Sequence, residues 1–220
     1  MPALLACGLT PQMALGTNKL QSSCGTTLAV LRYARAGLMK APWLWLAVIA
    51  SLLASMGGAF AVSALDKALL QKLMPWMLAA VAVYTALNPR FGLQEARRKM
   101  GWVMFALIFG IALGFYDGFF GPGTGTFWTV GCVTLLGLDL RHATAYTKAV
   151  NLASNVGSLV IFLGNGSVHF VAAGAMIAGQ LIGAHTGAGF VVKHGVKFIR
   201  PVFLCVVFAL TAKLIWDAMK

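Results

Sequence analysis

The chain has 220 residues, of which 60% are hydrophobic and only 10% charged, with a mean hydropathy of +0.83. Soluble domains carry about 25% charged residues, so this composition excludes a soluble protein and indicates one that lies in a lipid bilayer. The net charge of +12 would suggest nucleic-acid binding in a soluble domain. Here the basic residues concentrate in short connections between apolar blocks, as in the cytoplasmic loops of membrane proteins, which predicts no nucleic-acid partner.

Apolar blocks predict the helices along the chain. A helix needs about 20 residues to cross about 30 Å of hydrocarbon. Two blocks, 20–34 and 124–136, are short or polar and are uncertain spans. Six blocks are of or near the required length, namely 43–65, 73–88, 101–116, 144–164, 170–192 and 201–216. The predicted fold class is therefore all-α, a polytopic membrane helix bundle.

The basic connections predict the orientation of the bundle. Clusters at 32–40 and 90–99 are separated by two predicted crossings, so both should lie in the cytoplasm. The connection at 165–169 has no Lys or Arg and should lie outside. This order requires block 124–136 to cross or nearly cross the membrane. The sequence thus predicts a multi-pass membrane protein whose basic connections lie in the cytoplasm.

A glycine-rich segment interrupts the apolar pattern. Residues 114–128 contain five glycines, a proline and one carboxylate. Irregular backbone is costly in hydrocarbon and survives where protein covers it or where it lines a wet cavity, and interrupted helices in transporters present N–H groups to anions. The alternation of Gly121, Gly123 and Gly125 favours a broken helix at the centre of the bundle. The alternative is a close helix crossing, which commonly uses small residues four apart.

An internal repeat relates the two parts of the chain. A shift of 129 residues matches Gly8 with Gly137 (137 − 8 = 129) and Lys19 with Lys148 (148 − 19 = 129). The predicted sides of the matched connections are opposite, which indicates an inverted-topology repeat, with halves at 1–100 and 101–220. The first half lacks a counterpart of the span at 101–116 and of the glycine-rich segment. We expect either a start codon assigned too far downstream or a truncated product.

Polar residues within the predicted spans are the candidate site. Lys148 shares one helical face with Asn151 and Asn155, and charges inside a membrane usually face a cavity or a partner. The alternative is a lysine that snorkels to the interface. The candidate substrate-binding residues are Gly121, Gly123, Gly125, Thr126, Lys148, Asn151 and Asn155, with Asn18, Lys19 and Ser22 from the first half.

Asp117 lies beside the glycine-rich break and has three candidate roles. It could couple transport to protons, cap a helix, or pair with Lys148. Its sequence context leaves these three roles open.

These residues also carry a family resemblance. The segment 114–127, the following Leu136 to Asp139 with Lys148 and Asn151, and the early segments 2–5 and 14–19 resemble the sulfite exporter TauE/SafE family of bacterial membrane permeases. The resemblance implies two related halves and the movement of sulfite, sulfonates or other small organic acids. The chain departs from the family pattern in lacking the first glycine-rich motif. The alternative function is a non-transporting membrane assembly protein or an inactive fragment of such a permease.

Catalytic chemistry has little support in the sequence. The chain has no His-Glu-x-x-His motif, no Gly-x-Ser-x-Gly motif and no clustered pair of carboxylates. The four cysteines are scattered singly, without the spacing of a metal or redox site. We therefore predict no enzyme, no catalytic residue, no metal and no cofactor. The predicted partners are a small anionic substrate and the lipid bilayer, and a homo-oligomer is left open.

Overall fold

The structure is a computed structural model that describes residues 2–66, 68–70, 72–73, 76–77, 80 and 98–194, except the side chains of residues 2, 6 and 184–194. Within these ranges it is helical and contains no strand, which confirms the all-α class. Block 201–216 and most of block 73–88 lie outside the described residues. The helices are α1 (Pro2–Ala6), α2 (Pro11–Arg35), α3 (Trp43–Ser63), α4 (Trp102–Phe119), α5 (Thr124–Leu136), α6 (Leu140–Gly164) and α7 (Phe170–His194).

The helices differ in how well they fit a membrane. Among the described residues, α3 and α4 are long and apolar enough to cross one, while α5 is apolar but shorter. Helix α2 is much longer than its apolar block predicted, because it begins at Pro11. Thr10 precedes it as the N-cap and accepts a hydrogen bond from the backbone N–H of Met13 at 3.4 Å, and proline suits the first helical position.

The bundle has an apolar exterior, and it buries polar and charged side chains beside its apolar core. Large apolar side chains on α3 and α4 face outward, among them Trp45 (72% exposed) and Val103 (59%). Lys19 and Asp117, by contrast, are buried, at 1% and 5% exposure. A water-soluble fold would reverse this pattern. The exterior is therefore suited to lipid.

Small residues allow α3 to lie in close contact with α4 and α6. A Cβ atom added at Gly118 of α4 would lie 2.0 Å from the carbonyl oxygen of Ser55. One added at Gly157 of α6 would lie 2.4 Å from the carbonyl oxygen of Leu52. Membrane helices use small residues in this way to bring their backbones together. The packing of α3 thus fixes the positions of α4 and α6, which contribute to the buried polar groups.

The bundle has two distinct ends. At the first end, the rings of Trp43 and Trp102 stack with centroids 5.3 Å apart, and the N–H of Lys99 donates to the carbonyl oxygen of Leu135 at 2.8 Å. The latter contact joins the start of α4 to the end of α5, so these two helices form an antiparallel hairpin. The second end contains the start of α2 and the turn after α6.

Helices α2 and α6 correspond closely. Both have 25 residues, and their bounds differ by 129 at each end (140 − 11 and 164 − 35). Left-handed glycines also recur at this shift, in the pairs Gly8 and Gly137, and Gly37 and Gly166. The two helices are antiparallel, because the start of α2 meets the connection after α6. There the Thr17 hydroxyl accepts a hydrogen bond from the N–H of His169 at 2.9 Å.

Candidate functional site

A sharp turn inside the bundle separates α4 from α5. Helix α4 ends at Phe119 and α5 begins at Thr124, so residues 101–136 do not form one continuous helix. Gly121 and Gly123 have φ angles of +95° and +86°, a left-handed conformation that glycine adopts without steric cost. The Tyr116 hydroxyl donates to the carbonyl oxygen of Pro122 at 2.7 Å and stabilises the turn.

A buried ion pair lies beside this turn. The Lys19 Nζ atom of α2 is 2.9 Å from Oδ1 of Asp117 in α4. The Thr124 hydroxyl donates to the same carboxylate oxygen at 3.2 Å, and the Ser154 hydroxyl donates to the other oxygen. Side chains from α2, α4, α5 and α6 therefore meet at one carboxylate.

This arrangement decides which lysine is the partner of Asp117. The sequence left open a pair with Lys148, but the partner is Lys19. The reason is the position of each residue along the bundle. Asp117 lies near the end of α4 that is far from the first end, where α4 starts. Lys19 is the ninth residue of α2 counted from the second end, which brings it level with Asp117.

Gly121 leaves room for the lysine. A Cβ atom added there would lie 3.3 Å from the Lys19 Nζ atom and 3.2 Å from Oδ1 of Asp117. The predicted site residues Gly121, in the turn, and Lys19, in α2, are therefore neighbours in space.

A second group of polar contacts joins α5 to α6. Gly125 faces Asn151, since a Cβ atom added to the glycine would lie 3.1 Å from the Asn151 Nδ2 atom. One turn away, the hydroxyls of Thr129 and Thr147 are 3.0 Å apart. The buried Oδ1 atom of Asn151 has no hydrogen-bond partner in the described part of the chain. This group contains an acceptor that is free to bind a ligand or water.

Lys148 lies apart from the ion pair. It is the ninth residue of α6, about 12 Å from the start of that helix, and is partly buried. Among the described residues it makes no hydrogen bond or ion pair. Ser154 follows it by six residues, about 9 Å along the helix, and Asn155 is buried at 7% exposure.

Some of the backbone donors predicted for the site are already used. The N–H of Thr124 donates to Gly121 and that of Thr126 donates to Gly123, at 3.2 and 2.9 Å. The N–H groups of Gly123 and Gly125 make no hydrogen bond within the part of the chain that the structure describes. The alternate glycines therefore provide the free donors of this turn.

The remaining predicted residues flank the lysine. Asn18 and Ser22 are partly buried on α2, and neither makes a hydrogen bond to Asp117. Sequence reasoning missed Thr124 and Ser154, the two hydroxyls that bind the carboxylate. Their positions in the sequence could have indicated them. Ser154 is three residues after Asn151 on one helical face, and Thr124 directly follows Gly123 of the glycine-rich segment.

A cavity of about 510 Å³ opens at the second end. Its lining includes Gln12, Ser63 and Gly166. The side-chain oxygens of Gln12 and Ser63 are buried without a hydrogen-bond partner among the described residues. Gln12 precedes Lys19 by seven residues, about 10 Å along α2, so the cavity lies at the second end and does not include the ion pair. The described residues contain no group of three or more His, Cys, Asp or Glu suited to a metal.

An apolar exterior around a buried, hydrogen-bonded ion pair defines a helical membrane protein with a polar centre. The family model "Sulfite exporter TauE/SafE" matches residues 1–214. The chain belongs to this family.

Curated relatives agree with the family match. The chain is 37% identical over 217 residues to "Probable membrane transporter protein" of Haemophilus influenzae, covering 99% of this chain and 85% of the relative. It is also 37% identical over 218 residues to "Probable membrane transporter protein YfcA" of Escherichia coli K12, covering 99% and 81%. A relative from Sinorhizobium is 36% identical, with 99% and 83% covered. No solved structure matches significantly. The protein is a membrane transporter and not an enzyme.

Proposed function

We propose that the protein is a multi-pass permease of the bacterial inner membrane that moves a small anion such as sulfite, a sulfonate or another small organic acid. The observation that carries this proposal is the buried lysine. Lys19 is 1% exposed inside a bundle with an apolar exterior, and charges buried in membrane proteins are costly, so they usually mark functional sites. A buried ammonium beside an interrupted helix favours an anionic ligand.

The binding site that we propose extends along α6 and the start of α5. Lys148 and Lys19 supply positive charge, and the amide NH₂ groups of Asn151 and Asn155 supply hydrogen-bond donors. The free N–H groups of Gly123 and Gly125 lie at the N-terminus of α5, where the helix dipole favours negative charge. Gly121 lies in the turn and Thr126 in the first turn of α5, and Asn18 and Ser22 flank Lys19. These groups would replace the hydration shell of the anion.

We further propose that the two halves, 1–100 and 101–220, are inverted repeats with broken helices at the centre. The equal bounds of α2 and α6 after a shift of 129 residues support this. So does their antiparallel arrangement, since repeats related by an axis in the membrane plane run in opposite directions. Transport would proceed by rocking one half against the other around the fixed site.

The distribution of basic residues supports an orientation. The first end carries Arg32, Arg35, Lys40, Lys99 and Arg141 near its connections, while the described part of the second end carries few basic residues. We therefore propose that the first end faces the cytoplasm.

Reconstituted protein tests the proposed function. Proteoliposomes would be given labelled sulfite, thiosulfate, methanesulfonate and small carboxylates, with influx and efflux measured against protein-free liposomes. We expect saturable movement of at least one of these anions and none of small cations. If no anion moves in either direction, the permease proposal is wrong, and a non-transporting membrane assembly protein becomes the better explanation.

A further inference from the structure

We propose that the carboxylate of Asp117 is a built-in anion, which holds Lys19 while no substrate is bound and takes up a proton when a substrate anion displaces it. The permease would then couple anion movement to proton movement. This inference rests on the proposed anion permease and adds its coupling ion.

Asp117 differs from the other described acids in its location. Asp66 and Asp139 lie at the ends of the bundle, where each accepts hydrogen bonds from backbone N–H groups just after it. Asp117 is 5% exposed in the interior and contacts the ammonium of Lys19 at 2.9 Å. It is the only acid that the described ranges place inside the bundle.

Among the described residues, one cation lies beside Asp117. Lys19 faces it from α2, and the hydroxyls of Thr124 and Ser154 face it from α5 and α6. Helix α3 meets α4 through Ser55 at Gly118 and brings no titratable group there. On α4 itself the neighbour is Tyr116, whose hydroxyl is already bound to a carbonyl oxygen. The charge of Asp117 is therefore balanced by Lys19 alone among these groups.

The substrate anion and the ionised carboxylate of Asp117 therefore compete for the ammonium of Lys19. A substrate anion that binds the ammonium of Lys19 leaves a buried carboxylate without a cation. An ionised carboxylate in that position is strongly disfavoured, and the group becomes neutral by binding a proton instead. The surrounding hydroxyls suit both states, because Thr124 and Ser154 can donate to the carboxylate or accept from the carboxylic acid.

The exchange conserves charge and atoms. Before it, the ammonium of Lys19 is paired with the carboxylate of Asp117. A singly charged anion and one proton enter; the anion takes the place of the carboxylate, and the proton binds a carboxylate oxygen. The site gains no net charge, so the step avoids bringing an uncompensated charge into a low-dielectric interior. Release of the anion lets the carboxylate return to Lys19 and expel the proton.

Methanesulfonate is a suitable probe, because as the anion of a strong acid it carries no proton of its own near neutral pH. Proteoliposomes containing a pH-sensitive dye would report proton entry while labelled anion reports substrate entry. We expect both signals together, one proton for each anion, and faster uptake as the external pH falls. If a different anion of the panel is transported, the same pair of measurements is made with that anion.

Variants separate this role from a structural ion pair. Asp117→Asn removes the carboxylate that competes with the substrate anion for Lys19. We expect this variant to bind the anion about tenfold more tightly. It should still exchange labelled for unlabelled anion, but it should move no protons. The double variant Lys19→Gln with Asp117→Asn keeps a neutral hydrogen-bonded pair and tests folding. We expect it to fold without binding the anion, whereas a purely structural pair predicts normal transport. Asp139→Asn, a carboxylate outside the bundle interior, is the matched control and should transport as the wild type does.

The outcomes distinguish the two proposals. Anion uptake by the wild-type protein without proton uptake overturns the coupling and leaves the permease intact. A proton signal that persists in Asp117→Asn, or normal transport by the double variant, also overturns it. Absence of uptake for every anion overturns the permease proposal and, with it, the coupling.

Discussion

Lys19 and Lys148 are the ninth residues of two antiparallel helices of equal length, yet their environments differ. Lys19 is fully buried and paired with Asp117 at 2.9 Å. Lys148 is partly buried and unpaired among the described residues. The difference arises because the carboxylate of Asp117 in α4 lies within reach of Lys19, whereas no described acid lies beside Lys148. The two lysines should therefore respond differently to mutation.

Replacing Lys148 should affect transport more than stability. Lys148→Ala removes a positive charge from the proposed anion site, so we expect anion flux to be lost. Because this charge has no described partner, the protein should still insert and express. Lys148→Arg should recover little, because its planar fork fills a larger space. Flux in proteoliposomes measures both, with Lys40→Ala, an exposed lysine at the first end, as the control. Normal flux in Lys148→Ala would show that this lysine only snorkels to the interface.

Replacing Lys19 should affect stability strongly. Lys19→Ala leaves a buried carboxylate without its cation, a change that costs about 3–5 kcal/mol where buried pairs have been broken. We expect thermal unfolding in detergent at a clearly lower temperature than for Lys148→Ala. Adding Asp117→Asn should restore much of the loss. Equal unfolding temperatures for the two lysine variants would contradict the ion pair.

The close approach of α3 and α4 gives a packing prediction. Gly118→Ala places a methyl group against the Ser55 carbonyl, where a Cβ atom would be 2.0 Å from the oxygen, so the backbones must separate. We expect a loss of about 1–3 kcal/mol and a lower unfolding temperature. Gly174→Ala is the matched helical control, since no described residue lies within 4 Å of a Cβ atom there. Comparable stability of the two variants would show that α3 and α4 are further apart.

The left-handed turn allows strain and function to be separated. Gly123→Ala and Gly166→Ala both force alanine into a left-handed conformation, with φ of +86° and +64°, at about 1–2 kcal/mol each. We expect both to lower the unfolding temperature by similar amounts. Only Gly123→Ala should reduce anion flux, because it alone lies at the proposed site. Equal flux in the two variants would remove this turn from the transport pathway.

Acid should weaken the start of α6. Partial burial acts to raise the pKa of Asp139, but hydrogen bonds from the His142 side chain and from the N–H groups of His142 and Arg141 outweigh it and lower the pKa below its ordinary value of 3.8. A lowered pKa means that the carboxylate stabilises the fold above that value and loses this effect as the pH falls through the folded-state pKa. Unfolding temperatures measured from pH 6 to pH 3 should fall more for the wild type than for Asp139→Asn. Parallel curves would contradict this cap.

The sequence determined the features that depend on local composition. The apolar blocks predicted α3 and α6 closely and the start of α7 at Phe170, because these segments need only a long apolar run or periodicity. The glycine alternation indicated the interruption at 120–123, since left-handed backbone calls for glycine. The shift of 129 residues also relates Lys19 to Lys148 in the sequence. Most of these patterns are local in the sequence, so they can be recognised without knowing which distant segments pack against them.

Tertiary structure decided which polar groups meet. The sequence could not select Lys19 over Lys148 as the partner of Asp117, because that choice depends on the depth at which α2 and α4 lie side by side. It also undervalued Thr124 and Ser154, whose hydroxyls become significant only when three helices bring them to one carboxylate. Periodicity fixes the face of a helix on which a side chain lies. The contacts of that face are fixed by the antiparallel packing of distant segments, which no local pattern contains.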